Sequence, residues 1–239
     1  MKSLVKISFF YTLATVISKL FMFLGIMWVI KTFSPTDYAY FALLFSMFQA
    51  ISIFGGAGIK ESIVGFYKDL DSEDEQSQIF NNAIVSSFPS ILISVIAMLL
   101  FYFFNEESES NILLICFITS LFSGFVFSIT QLIAHMYRLK ENHFLSIIYL
   151  FFPQIMLYIG GFIFVTLNDS PQHFFFGSAL FVLLTTIILL LIFSRDRFYL
   201  SYGPFTKKIF SKSIPYFIIG ITNWLKGYGN NFIILMLLG

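Results

Sequence analysis

Lys19 and Lys226 are the two side chains in this sequence best placed to do chemistry. Each interrupts a long apolar run that contains no Asp or Glu. Lys19 is twelve residues from Ile7 and twelve from Lys31, so at about 1.5 Å per residue it stands ~18 Å from either end of its helix. A lysine side chain is too short to reach the interface from there. Lys226 is twelve residues beyond Ile214 and lies at comparable depth. An ammonium at mid-bilayer costs about 2.5–3.5 kcal/mol on insertion scales. That cost is tolerable where the group meets water or an anion, or sits without its proton. The pair therefore reads as two cations lining a wet cavity for an anionic substrate. The plainer alternative is that each bonds carbonyls or Asn side chains of neighbouring helices.

The surroundings of both lysines are polar in the middle of apolar sequence. Thr222-Asn223-Trp224-Leu225-Lys226-Gly227-Tyr228-Gly229-Asn230-Asn231 mixes amides, rings and glycines. Asn223, Lys226 and Asn230 are spaced i, i+3, i+7, which places them on one helical face as candidate substrate-binding residues. Gly227 and Gly229 weaken the helix there, as in the discontinuous helices of transporters. Around Lys19, Thr12 and Thr15 share its face and Ser18 is adjacent.

The elements that must carry these lysines are read from hydropathy. Apolar residues make up 58% of the 239 residues and charged ones 11%, with a mean hydropathy of +0.86. A soluble domain carries about 25% charged residues, so much of this surface must face lipid. A crossing helix needs about 20 apolar residues. Seven stretches qualify: 7–30, 38–59, 83–104, 111–134, 144–167, 174–193 and 214–238. The fold expected is all-α, a polytopic transmembrane bundle of about seven spans. The N-terminal run is too long for a signal peptide and lacks a cleavage pattern, so it reads as a retained span. Helix-start chemistry coincides with the hydropathy breaks at Ser34-Pro35-Thr36-Asp37, Ser72-Glu73-Asp74-Glu75, Ser170-Pro171 and Ser213.

Loop charge gives the orientation. With the N-terminus cytoplasmic, Lys2, Lys6, Lys60, Lys68, Arg138, Lys140 and the basic residues from Arg195 to Lys212 fall inside, and only Lys31 falls outside. The Arg195–Lys212 cluster is most simply an anchor, with attraction to anionic head groups as a second reading. The acidic run from Asp69 to Glu75 reads as a solvated helix start. No basic face for nucleic acid exists. The single Cys116 excludes a disulfide framework.

The remaining features point to packing. Gly55-Gly56-Ala57-Gly58 permits a kink or a close contact, as do Pro153 and Gly160-Gly161. Ser128, Thr130 and Gln131 line a path or bond between helices. His135, His143 and His173 stand at span edges without ligand spacing. No nucleophile elbow, P-loop or metal motif occurs, so no catalytic residue, metal ligand or cofactor is assigned and the chain does not read as an enzyme.

One junction carries a family likeness. Ile30-Lys31-Thr32-Phe33-Ser34-Pro35-Thr36-Asp37-Tyr38 resembles the leucine/glycine-proline-x-x-tyrosine-glycine junction of Wzx-type polysaccharide flippases, with Ala39 where those usually have Gly. These belong to the multidrug/oligosaccharidyl-lipid/polysaccharide exporter superfamily. Tyr40-Phe41-Ala42-Leu43, Phe54-Gly55-Gly56-Ala57-Gly58-Ile59, and Gln131 with Tyr137-Arg138 are similar to that family's second and fourth helices.

The resemblance implies two six-helix lobes, with this chain supplying the first lobe (1–212) and the first helix of the second (213–239). Its end at Leu237-Leu238-Gly239, inside the seventh helix, reads as a truncation, and a lone seventh helix lacks a lobe to close against. First and seventh helices face the central cavity in such proteins. Lys19 and Lys226 would then meet the pyrophosphate or acidic sugars of a lipid-linked oligosaccharide, handed across a bacterial inner membrane by alternating access. Membrane lipid and that anionic substrate are the expected partners, with room for a coupling ion. A cation-coupled drug exporter of the same superfamily is the first alternative, though the seven spans hold no carboxylate. A membrane glycosyltransferase or polymerase is the second, and the short outer loops argue against it.

Overall fold

Helix-start residues at Ser34 and Ser170 fix where two of the helices begin, and the helices then sort by how much apolar surface they bury. The computed structural model describes residues 2–56, 58–67, 73–104, 111–167, 169–193 and 202–229. Among these the elements are α1 (Lys2–Thr32), α2 (Pro35–Phe54), α3 (Ile59–Tyr67), α4 (Glu73–Phe104), α5 (Asn111–Leu139), α6 (His143–Val165), α7 (Pro171–Phe193) and α8 (Pro204–Trp224). A π-helical turn, Leu225–Gly229, continues α8. The described residues contain no strand.

Five segments are long and apolar enough to cross a membrane: Ile7–Thr32, Pro35–Tyr67, Leu114–Leu139, His143–Val165 and Pro171–Ile192. The expected third span lies within α4. The expected seventh begins in α8 and runs outside the described residues.

The caps follow local chemistry. Ser34 Oγ accepts from the Asp37 backbone N–H at 3.2 Å and donates to Asp37 Oδ2 at 2.6 Å, with Pro35 in the first turn. At Ser170 the hydroxyl pairs with His173 Nδ1 at 2.7 Å, and α7 begins at Pro171. Ser72 lies outside the described residues. Ser213 does not cap the last helix. It sits inside α8, its hydroxyl donating to the Phe210 carbonyl, because Gly203-Pro204 opens the helix earlier and Thr206 Oγ1 accepts from the Gly203 N–H at 3.1 Å. Lys207, Lys208 and Lys212 therefore stand on a helix, and Lys212 Nζ lies 4.2 Å from the Phe66 ring centroid.

The second segment is the hub of the bundle. Pro35–Tyr67 buries most of its apolar length, whereas Ile7–Thr32 leaves most of its own exposed. Phe41, Phe45, Met47, Phe48, Ile51 and Phe54 form the middle of the main core. Their rings interlock with neighbours: Phe41 lies 5.0 Å from Phe174 and 6.0 Å from Phe33 between centroids. Offset and edge-on ring pairs of this kind add about 0.5–1.5 kcal/mol each beyond their area. Hydroxyls tie helices together where apolar packing alone is weakly specific. Ser120 donates to Leu44 O, Tyr149 to Leu189 O and Ser178 to Leu157 O.

Glycines set the closest approaches. The break between α2 and α3 turns at Gly58, whose φ of +80 favours glycine. A Cβ there would collide with the Ser213 carbonyl of α8. Both readings of this glycine run, kink and close contact, hold. Gly160 of α6 likewise backs onto Gly177 of α7, with no room for a side chain on either.

Candidate functional site

The period of α1 divides its residues between two environments. Ser18, Gly25 and Val29 are buried inward, and Gly25 lets the Tyr158 and Phe162 rings approach. Thr12, Thr15 and Lys19 lie on the exposed face. The two threonine hydroxyls bond back to the Ser8 and Tyr11 carbonyls of their own helix, which satisfies them without a partner helix. Lys19 makes no hydrogen bond or ion pair with a described residue.

The last helix divides in the same way. Ile209, Ser213, Gly220 and Trp224 are buried, and the Trp224 ring packs 5.6 Å from Phe54. Tyr228 in the π turn reaches Phe45 at 6.4 Å. Asn223 and Lys226 are exposed, on the side away from Trp224, because 100° per residue separates them from the inward face. At Leu225 the α-helix gives way to the π turn that contains Lys226, Gly227 and Gly229. Departures of this type are enriched at functional positions. Asn230 lies outside the described residues.

Lys19 and Lys226 are not in contact. α1 packs chiefly on α6, while α8 packs on α2, α3 and α4. Val29 of α1, Phe33 just after it and Trp224 of α8 nevertheless belong to one apolar core around α2. What the two lysines share is their setting. Each is an exposed ammonium on a helix whose opposite face is buried.

A second polar constellation was not legible as one in the sequence. Tyr11, Lys60, Gln131, His135, Arg138 and Ser146 border a half-open cavity of about 130 Å³. Lys60 reads in sequence as a loop residue, but α3 extends the second segment and aims it at α5. Its Nζ donates to Gln131 Oε1 at 3.3 Å. Arg138 lies over the Tyr11 ring, 5.3 Å from the centroid, and the Tyr11 and His143 rings meet edge-on at 6.1 Å. The Tyr11 hydroxyl and His135 Nε2 are buried with no hydrogen-bond partner. One signal was available: Gln131, His135 and Arg138 are spaced i, i+4, i+7 on one face of α5.

These sites stand inside a recognisable whole. A family model described as polysaccharide biosynthesis protein matches residues 4–239. The chain belongs to that family. The match takes in both lysine-bearing helices and the Lys60 cavity, so each is part of a polysaccharide biosynthesis protein and not of an appended segment. No curated protein and no solved structure matches the chain. Family membership and the five apolar helices together make this a helical membrane protein engaged in polysaccharide biosynthesis and transport.

Proposed function

We propose that the chain moves a lipid-linked oligosaccharide across the bacterial inner membrane, with its N-terminus cytoplasmic, as a carrier and not as a catalyst. Lys19 on α1 and Lys226 in the π turn, flanked by Asn223 and Asn230, would take the negative part of that substrate, its pyrophosphate or acidic sugars. The observation that supports this reading is the shared setting of the two lysines. Lys19 projects from one of the five apolar helices and Lys226 from the π turn that ends α8, and each is turned away from the packed core. A cation bonded for structural reasons would be expected to point inward, at a carbonyl or an Asn of its neighbours. These two do not. An aqueous vestibule beside α1 and α8 removes the desolvation cost and leaves two ammonium groups for an anionic head group, while the lipid tail stays in the bilayer.

The test is restoration of surface polysaccharide in a flippase-deficient bacterium, with expression matched by blotting. Lys19→Ala and Lys226→Ala are each expected to lower export at least about tenfold, the equivalent of ~1.4 kcal/mol. Lys→Arg at either site should recover part of it. Full export by both alanine variants would overturn the assignment.

A further inference from the structure

The Lys60 cavity is separate from the exposed faces that carry Lys19 and Lys226. Tyr11 precedes Lys19 by eight residues, about 12 Å along α1, and unlike Lys19 its hydroxyl is buried. Four helices supply the lining: Tyr11 from α1, Lys60 from α3, Gln131, His135 and Arg138 from α5, and Ser146 from α6.

The lining is rich in donors and holds no carboxylate. Lys60 carries three N–H donors and spends one on Gln131. Arg138 brings five more on a guanidinium leaning over Tyr11. The Tyr11 hydroxyl and His135 Nε2 are buried without partners. An unsatisfied buried group of this kind destabilises the fold until a partner reaches it. Glu61, next in sequence to Lys60, is exposed and outside the lining, though its charge reaches both Lys60 and His135; exposure to solvent screens it. The cluster joins one permanent cation, Arg138, to the Lys60 amine and to two unpartnered groups, and a negatively charged acceptor would meet all four.

We infer that this cavity binds a phosphate group, carried either by inorganic phosphate or by the head group of a phosphate-monoester lipid. The size suits it. About 130 Å³ is the volume of a few waters at ~30 Å³ each, enough for a tetrahedral oxyanion. The geometry suits it too: guanidinium and ammonium groups supply the charge-assisted bonds on which phosphate recognition rests. Phosphate oxygens would satisfy Tyr11 and His135 at once. This site needs no assumption about the transported substrate.

The experiment follows the Tm and ligand affinity of the full chain purified in neutral detergent, as inorganic phosphate replaces chloride at fixed ionic strength. A parallel arm uses phosphatidylcholine nanodiscs with or without phosphatidic acid. Phosphate or phosphatidic acid should raise the Tm by several degrees, and the arm that responds identifies the source. Arg138→Gln is exposed and should fold; it should weaken binding about 10- to 100-fold, as loss of a charge-assisted bond implies. Tyr11→Phe keeps the ring under Arg138 and should weaken it less. No response in either arm, or an unchanged response in Arg138→Gln and Tyr11→Phe, would overturn the site. Because neither variant touches Lys19 or Lys226, failure here leaves the transport proposal standing.

Discussion

The indole Nε1 of Trp224 donates to the backbone carbonyl of Ser46 across 3.0 Å, in the interior of the bundle. It fastens the end of α8 to the hub helix α2, two residues before Lys226. A buried indole N–H needs a partner of this kind, and a fixed Trp224 sets which way the following π turn presents its lysine. Trp224→Phe keeps a ring against Phe54 and removes the bond. It should lower stability by about 1 kcal/mol, read as a reduced Tm of the purified protein. Trp224→Ala also empties the ring's site and should cost about 3–5 kcal/mol. An unchanged Tm for Trp224→Phe would show that the bond does not hold the turn.

Lys19 and Lys226 should matter little to folding. Both are exposed and make no bond with a described residue, and surface changes of that sort usually stay within about 0.5 kcal/mol. Lys19→Gln and Lys226→Gln are therefore expected to leave the Tm and the expression level where they are. A large loss of stability in either would make the lysine a structural group and remove the reason for placing it beside a vestibule.

Asn82 and Thr206 join α4 to the start of α8. Thr206 Oγ1 donates to Asn82 Oδ1 at 2.5 Å while accepting from the Gly203 N–H, and Asn82 Nδ2 donates to Gln78 O. Both residues are buried. In a double-mutant cycle of Asn82→Ala and Thr206→Val, the interaction energy should fall within about 0.5–3 kcal/mol. Simple additivity of the two single losses would mean that the contact contributes nothing to the docking of α8.

Gly160 and Gly177 bring the backbones of α6 and α7 into direct contact. A Cβ on Gly160 would stand 2.5 Å from the Gly177 carbonyl oxygen, and a Cβ on Gly177 would meet the Gly160 carbonyl in turn. Gly160→Val and Gly177→Val should each destabilise by at least about 1–3 kcal/mol through overpacking. Gly65→Ala is the opposite case. Nothing lies within 4 Å of its added Cβ, so that change should stabilise α3 by about 0.5–1 kcal/mol. Denaturation of the three variants alongside the parent checks both signs.

The sequence by itself determined the class of molecule, an all-α membrane bundle, and the position of the long apolar helices. Those properties depend on runs of apolar residues, on loop charge, and on caps such as Ser34-Pro35, all of which act within one helix or one turn. It also marked the weakened helix after Trp224, since glycine spacing is local. It misplaced the start of α8, because Ser213 and Gly203-Pro204 offer competing local signals and only the engagement of Thr206 with Asn82 of α4 separates them. Tertiary structure alone decided which face of each helix turns inward, and so that Lys19 and Lys226 look away from the core. It alone turned Lys60 from a loop cation into the wall of a cavity with Tyr11, His135 and Arg138. That convergence comes from α1, α3, α5 and α6, joined by ring contacts between α1, α5 and α6 and by the Lys60–Gln131 bond from α3, and no periodicity along a single helix encodes the distance to the next.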